Sequence, residues 1–300
     1  KAAIAAAAQR GARYVLLVGG DSIDYHDYLG SGSQSYLPTW YTQSSRYIFH
    51  AATDHPYADL SGDEQPELAI GRLPVRTTTE LTRAITSITA RGNSVAQRFL
   101  AVAGASQPGE SFALHSRAIV GYLRQPGQQR EYALADEIGT AAARTQARAG
   151  LAGSADWVTY LGHSSAHRWA IDNLLDVSQL ASISRTGALA VVSQWGCWNN
   201  NFTAPTQDTM AHALMLRSNR LAAAVLGATS LAEDASHLAL GTRFFDIVED
   251  GRLGDHGGLP ITTMGEALQA AKADLLQREP AHRSAAYTIV LFGDPAAPLQ

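Results

Sequence analysis

Short apolar runs that end in glycine or a polar residue alternate along this chain with longer stretches of helical period, the pattern of a layered α/β fold. The runs that read as strands are YVLLVGG from Tyr14, ELAIG from Glu67, FLAVAG from Phe99, DWVTYLG from Asp156, ALAVVS from Ala188, AAAVLG from Ala222 and YTIVLFG from Tyr287. Most are continuously apolar, as strands covered on both faces must be, so they predict a central and mostly parallel sheet. Helices are expected over Thr78 to Arg91, Leu114 to Leu123, Ala133 to Ala149, Gln207 to Arg217, Leu238 to Glu249 and Met264 to Gln277, each supplying a crossover. Thr77 to Thr79 followed by Glu80 reads as a capped helix start, and Gly92 as a helix stop.

The stretch from Asp21 to Pro56 is polar, aromatic and rich in Ser, Gly, Tyr and His, which predicts a long surface excursion of the kind that often shapes a site. A helix ends before the next strand begins between Gly92 and Gln97, dividing the chain into an N-terminal α/β subdomain, 1–94, and a catalytic subdomain, 95–300. Lys1 runs straight into AAIAAAAQR, so the first subdomain reads as incomplete at its start and a signal peptide could have been lost.

Composition narrows the function classes. With 300 residues and 46% hydrophobic content, the chain can bury a large core. Lys plus Arg number 23 against 27 Asp plus Glu, a net charge of −4, which argues against a nucleic-acid partner that would require a basic face. The longest apolar stretches reach about eight residues, far below the roughly twenty that span a bilayer, so no transmembrane segment is expected. The single cysteine excludes an internal disulfide framework and a multi-cysteine zinc site, leaving either a buried structural thiol or a reactive one.

In open parallel sheets, reactive groups gather beyond the carboxyl ends of the strands. Here DWVTYLGHSSAHRW places Gly162, His163 and Ser164 past one strand, and ALAVVSQWGCWNNNF places Gly196 and Cys197 past the next. The intervening LLDVSQLASIS leaves room for one crossover, so the imidazole and the thiol can meet at adjacent strand ends. A neighbouring histidine favours the thiolate that attacks a carbonyl and can then protonate a leaving amine. Backbone N–H groups of Ser164 and Cys197 are the candidate oxyanion donors, and Gly162 and Gly196 let both turns close tightly.

Taken in order, YVLLVGGDSIDY, the run DHPYADLSGDEQPELAIGRLPV, YLGHSS followed by Trp169, VSQWGCWNNNF, AAAVLGATS and the terminal LFGDP resemble the landmarks of the gingipain-type cysteine peptidases across nearly the whole chain. The resemblance implies a caspase-like three-layer α/β/α sandwich and a secreted or surface bacterial endopeptidase acting on proteins or peptides. Its catalytic pair would be Cys197 and His163, forming an acyl-thioester with no organic cofactor. Ser164 stands where those enzymes have glycine, and Glu110 is the acid available as a third member. The aspartate of arginine-cleaving relatives falls near Phe112 here. That of lysine-cleaving relatives falls in TSLAEDASH, which offers Glu233 and Asp234 to a basic side chain; both acids equally suit an exposed helix start. Structural calcium, which gingipain-like domains often bind, is the one cofactor expected.

Other readings use the same residues. Asp59, Ser61, Asp63 and Glu67 make a partial calcium loop or an Asx-rich turn. His163 and His167 imitate a zinc pair but lack the glutamate and the helix of H-E-x-x-H. Trp169, Trp195 and Trp198 flank the pair as pocket walls or as packing, and Asp24, Asp54 and His55 lie in loops that could approach it. A transpeptidase of the same fold, or a degenerate domain kept for binding, would share every one of these motifs. Oligomeric state leaves no mark in the sequence.

Overall fold

The computed structural model describes residues 1–92, 95–205, 207–252 and 260–299. Its main sheet contains β1 (Tyr14–Val18), β2 (Ala69–Leu73), β3 (Arg98–Ala103), β4 (Gln129–Leu134), β5 (Trp157–Leu161), β6 (Ala190–Trp195), β7 (Ala222–Ala228) and β8 (Ile289–Phe292). Their order is β1-β2-β8-β7-β6-β5-β3-β4, and every neighbouring pair is parallel except β7 with β8. β1 and β2 form one edge and join the rest through the register pair of Arg72 with Phe292. The division expected between Gly92 and Gln97 runs across residues 93 and 94, which lie outside the described residues.

Alternation along each strand feeds two cores. On β5, Trp157 and Leu161 enter one, Val158 and Tyr160 the other; on β3, Phe99 and Ala101 oppose Leu100 and Val102. One face is covered by α1 (Thr78–Arg91), α3 (Thr140–Ala149) and α4 (Met210–Leu216), which contribute Ala84, Ala143, Ala147 and Leu214. The other lies under α2 (Phe112–Val120), α5 (Asp234–Asp250) and α6 (Met264–Arg278), with Ile119, Leu240, Phe244 and Leu275. The result is a three-layer α/β/α sandwich. Thr77 caps α1 through the Glu80 N–H at 3.1 Å, while the Glu80 carboxylate turns back to Arg76. No helix among the described residues is long and apolar enough to cross a membrane.

Several elements differ from the sequence expectation. The helix expected from Ala133 to Ala149 is three pieces: β4 runs to Leu134, a short helix covers Ala135–Ile138, and Gly139 at φ 78° breaks the chain before α3. β4 escaped detection because Gln129, Arg130 and Glu131 lie exposed at the sheet edge and read as polar loop. Tyr287 and Thr288 belong to a helix, Arg283–Thr288, and the strand begins at Ile289.

The excursion after β1 is ordered by its own aspartates. Asp21 accepts the Thr39 N–H, Asp24 those of Tyr28 and Leu29, and Asp27 those of Ser31, Gly32 and Ser33. Arg72 ties it to β2. Fully buried, this guanidinium grips Asp54 through two bonds of 2.7 Å, donates to Gly19 O and Leu37 O, and lies over the Phe202 ring. A buried charge pair persists only when its other donors find acceptors, and two main-chain carbonyls take both hydrogens of Nη1 here.

Candidate active site

β5 and β6 are adjacent and parallel, with Leu161 in register with Trp195, so the chain leaves both strands side by side at one edge of the sheet. Past β5, Gly162 takes φ 149°, and a Cβ there would lie 2.8 Å from the Tyr160 hydroxyl. That hydroxyl donates to His163 O and accepts the Ala170 N–H at 2.8 Å, fixing the turn that carries the imidazole. Its complete burial pushes the phenol far above its ordinary range, so it stays a donor. The chain then forms a hairpin of Ser164–Ser165 with Arg168–Trp169. Because Ala170 N–H donates to His163 O at 2.7 Å, Ser164 and Trp169 are a non-hydrogen-bonded pair of that hairpin, and the Ser164 N–H points out of it.

Past β6, a Cβ on Gly196 would meet Ser164 Oγ at 2.3 Å and Gly162 O at 2.7 Å, so glycine alone fits where the two turns touch. Ser164 Oγ donates to Cys197 O at 2.8 Å. The Cys197 thiol is partly buried and donates to Ala232 O at 3.6 Å. Burial pushes its pKa above the ordinary 9.0, with the Ala232 contact acting the other way. Trp198 follows in the left-handed region at φ 65°, a conformation costing a side-chain-bearing residue about 1–3 kcal/mol, and its N–H donates to Ser230 O at 3.1 Å.

The His163 ring meets two groups from the segment after β3. Its Nε2 lies 2.6 Å from Glu110 Oε1, a close approach that falls off the hydrogen-bond line, and its plane stands edge-on to Phe112 with centroids 5.1 Å apart. The other Glu110 oxygen accepts the Gln107 N–H at 2.7 Å, which holds the carboxylate in place. Thus the structure brings Glu110, His163, Ser164 and Cys197 to one edge.

Of the tryptophans expected around the site, two are core residues. Trp169 has no exposed surface, stacks on Tyr160 with centroids 4.7 Å apart and donates to Gln194 Oε1; Trp195 packs on His237 and Phe244 and donates to Thr159. Both are buried in the apolar core, which matches the packing alternative of the sequence reading and leaves neither at the surface as a pocket wall. Trp198 is partly exposed. Glu233 is exposed at the start of α5, whereas Asp234 lies 2.6 Å from His115 Nδ1 on α2. Asp24, Asp54 and His55 serve the excursion's own framework, the last through a 2.9 Å contact of its ring with Glu64 O.

Residues that sequence reasoning passed over complete the support. Gln194 Nε2 donates to Asn200 Oδ1, and Asn200 Nδ2 to Val225 O, continuing the chain from Trp169 under the cysteine turn. Asn199 Nδ2 donates to Ser165 O at 2.8 Å, a second tie between the two turns. The signal was present in Gln194, an amide inside an otherwise apolar strand, and in the Asn199 to Asn201 run. The excursion also reaches this edge, through Ser44 Oγ to Ser230 Oγ at 2.8 Å and Ile23 N–H to Thr203 O.

Among the described residues, one group of at least three metal-ligating side chains exists: Asp59, Asp63 and Glu67, whose ligand atoms lie within 4.8 Å of one another. Backbone N–H groups of Gly62, Gln65, Leu60 and Ser61 orient these carboxylates, and the Gln65 N–H foremost holds Asp63 below the usual range. An all-oxygen set of three carboxylates fits a hard cation such as calcium. His163 and His167 gather no such set; the His167 ring instead lies 3.4 Å from Asp208 O.

A sandwich with a histidine turn and a cysteine turn at adjacent strand ends has the architecture of a caspase-like peptidase domain. The chain belongs to peptidase family C25, whose family model matches residues 1–300. It is similar in structure to gingipain R (RgpB), described as an Arg-specific cysteine proteinase, with a TM-score of 0.70 at 19% identity over 95% of this chain and 63% of that one. The complex of the pro- and mature domains of Porphyromonas gingivalis RgpB gives 0.71 at 18%, covering 95% and 65%. A further structure, described simply as a protease, gives 0.71 at 14%, covering 95% and 64%. This chain therefore spans under two thirds of the length of those chains, and at these identities the likeness establishes the fold. No curated protein sequence matches it.

Proposed function

We propose that this chain is a cysteine endopeptidase whose nucleophile is Cys197. The observation that carries the reading is the register of β5 with β6, which sets the His163 and Cys197 turns side by side, together with the carboxylate of Glu110 at the imidazole. With Nε2 facing Glu110, Nδ1 is the nitrogen left for the thiol proton. The thiol turns from Ala232 O, gives its proton to His163, and its sulfur attacks the scissile carbonyl carbon. The N–H groups of Ser164 and Cys197 hold the oxyanion; Ser164 supports this role because its N–H points out of the hairpin. As the tetrahedral species collapses, the C–N bond breaks and the imidazolium protonates the departing amine. Water, deprotonated by His163, then cleaves the acyl-thioester and restores the thiol. Glu110 favours the imidazolium at both steps.

Under this reading Glu233 and Asp234, which follow the Ala232 carbonyl that meets the thiol, would meet a basic side chain on the acyl side of the cleaved bond, and the setting is a bacterial exterior. Cys197→Ala should abolish cleavage of a mixed peptide library with the fold intact, and retained cleavage removes the proposal. Transpeptidation is separated by adding a nucleophilic amine to the same assay. The carboxylates of Asp59, Asp63 and Glu67 would hold a structural calcium ion; added calcium should raise the melting temperature, and Asp63→Asn should cancel that rise.

A further inference from the structure

We propose that the Ser164 hydroxyl is a positioning residue that holds the cysteine turn in its reactive conformation, an inference resting on the reading of Cys197 as nucleophile. One peptide unit lies at its centre. The carbonyl of Cys197 accepts from Ser164 Oγ at 2.8 Å, and the N–H of the same peptide plane, belonging to Trp198, donates to Ser230 O at 3.1 Å. The plane that follows the nucleophile is therefore gripped at both ends, by the histidine turn on one side and by the segment after β7 on the other. Rotation of that plane is rotation about ψ of Cys197 and φ of Trp198, the torsions directly beyond the Cα that bears the thiol.

The grip has something to oppose. Trp198 sits at φ 65°, a region that side-chain-bearing residues leave when nothing retains them. Relaxation there swings the Cys197 carbonyl away from Ser164 and reorients the preceding Cα, which bears the sulfur. The clamp is also built for closeness: Gly196 lacks a Cβ where one would stand 2.3 Å from Ser164 Oγ, so the hydroxyl packs directly on the nucleophile's backbone. Ser230 is itself braced by Ser44, which links the clamp to the excursion. Ser164 thus has two separable parts, an N–H aimed out of the hairpin and a hydroxyl that acts through Cys197.

Ser164→Ala removes the hydroxyl and keeps the N–H. On a peptide substrate its kcat should fall about tenfold with KM held within about twofold, since the lost contact orients the reacting sulfur and touches no substrate. Independently of activity, the Trp198 amide in protein labelled with [15N]tryptophan should exchange with solvent about tenfold faster in the variant, the resonance being assigned with Trp198→Phe. Ser164→Thr, which returns a hydroxyl, should restore both at an unchanged melting temperature. An unchanged kcat and exchange rate in Ser164→Ala, a change confined to KM, a loss that follows melting temperature across the variants, or a well-folded threonine variant that restores neither overturns the proposal. Wild-type protein that cleaves nothing while the exchange difference is present removes the peptidase reading and keeps the clamp; cleavage with no difference does the reverse.

Discussion

At the residue scale, burial around the Cys197 thiol favours its protonated form. Burial moves Cys197 above the ordinary 9.0, and its hydrogen bond goes to a carbonyl, which accepts a proton bond without removing the proton. Under the proposed mechanism, activation depends on His163 taking the proton as attack begins. Iodoacetamide should therefore alkylate Cys197 at neutral pH at a rate that His163→Ala lowers by about tenfold or more, and in that variant the rate should climb only on the alkaline side of pH 9. Equal rates at pH 7 with and without the imidazole would show that the two groups do not share a proton. Sequence alone carried His163, Cys197 and the flanking glycines, because a glycine-histidine and a glycine-cysteine each followed an apolar run. It did not carry the Tyr160 hydroxyl or the amide chain through Gln194 and Asn200. Their partners are main-chain groups far along the chain, and no spacing records those.

Elements came through the sequence where burial on both faces left continuous apolar runs, as in β3, β5, β6 and β7. They were lost where the chain lies at an edge. β4 exposes its first three residues, so its pattern is polar until Ala133, and the helical period of the alanine-rich stretch beyond it was read back into the strand. α5 begins at Asp234, ahead of the expected Leu238, because its first turn is polar and meets α2 through His115 rather than through an apolar contact. Two elements set the site, and their junction tolerates no added atom. Gly196→Ala places a methyl group 2.7 Å from the Gly162 carbonyl, which is backbone and cannot rotate aside. The variant should lose about 2 kcal/mol or more of stability in urea and more than about a hundredfold in cleavage rate. A fully active, fully stable alanine variant would mean the two turns do not meet as described.

At the scale of the whole molecule, three buried histidines outside the candidate site link stability to pH. Burial lowers His55, His212 and His237 to about 4 each, His55 with added repulsion from the buried Lys272 and His212 with that from Arg76. Between the ordinary value of 6.5 and 4 the unfolded chain binds protons that the folded chain refuses. Their contribution is therefore complete above pH 6.5 and is lost as the pH falls toward 4. The urea midpoint should decline steadily from pH 7 to pH 4.5, and His237→Gln should flatten part of that decline; a midpoint independent of pH over this range would contradict the burial. At this scale sequence conveyed the sandwich and the parallel sheet. It did not convey the one antiparallel pairing, β7 with β8, which turns β8, β2 and β1 against the rest of the sheet, nor the buried Arg72, which reads on its own as an ordinary surface charge between apolar neighbours.

Under the proposed mechanism an acyl group passes through one sulfur, that of Cys197. Wild-type protein mixed rapidly with an activated peptidyl ester and quenched in acid should show an intact-mass increase equal to one acyl group, mapped by fragmentation to Cys197 and absent from Cys197→Ala. Product released by wild-type protein with no adduct at any time, or an adduct on another residue, would contradict it.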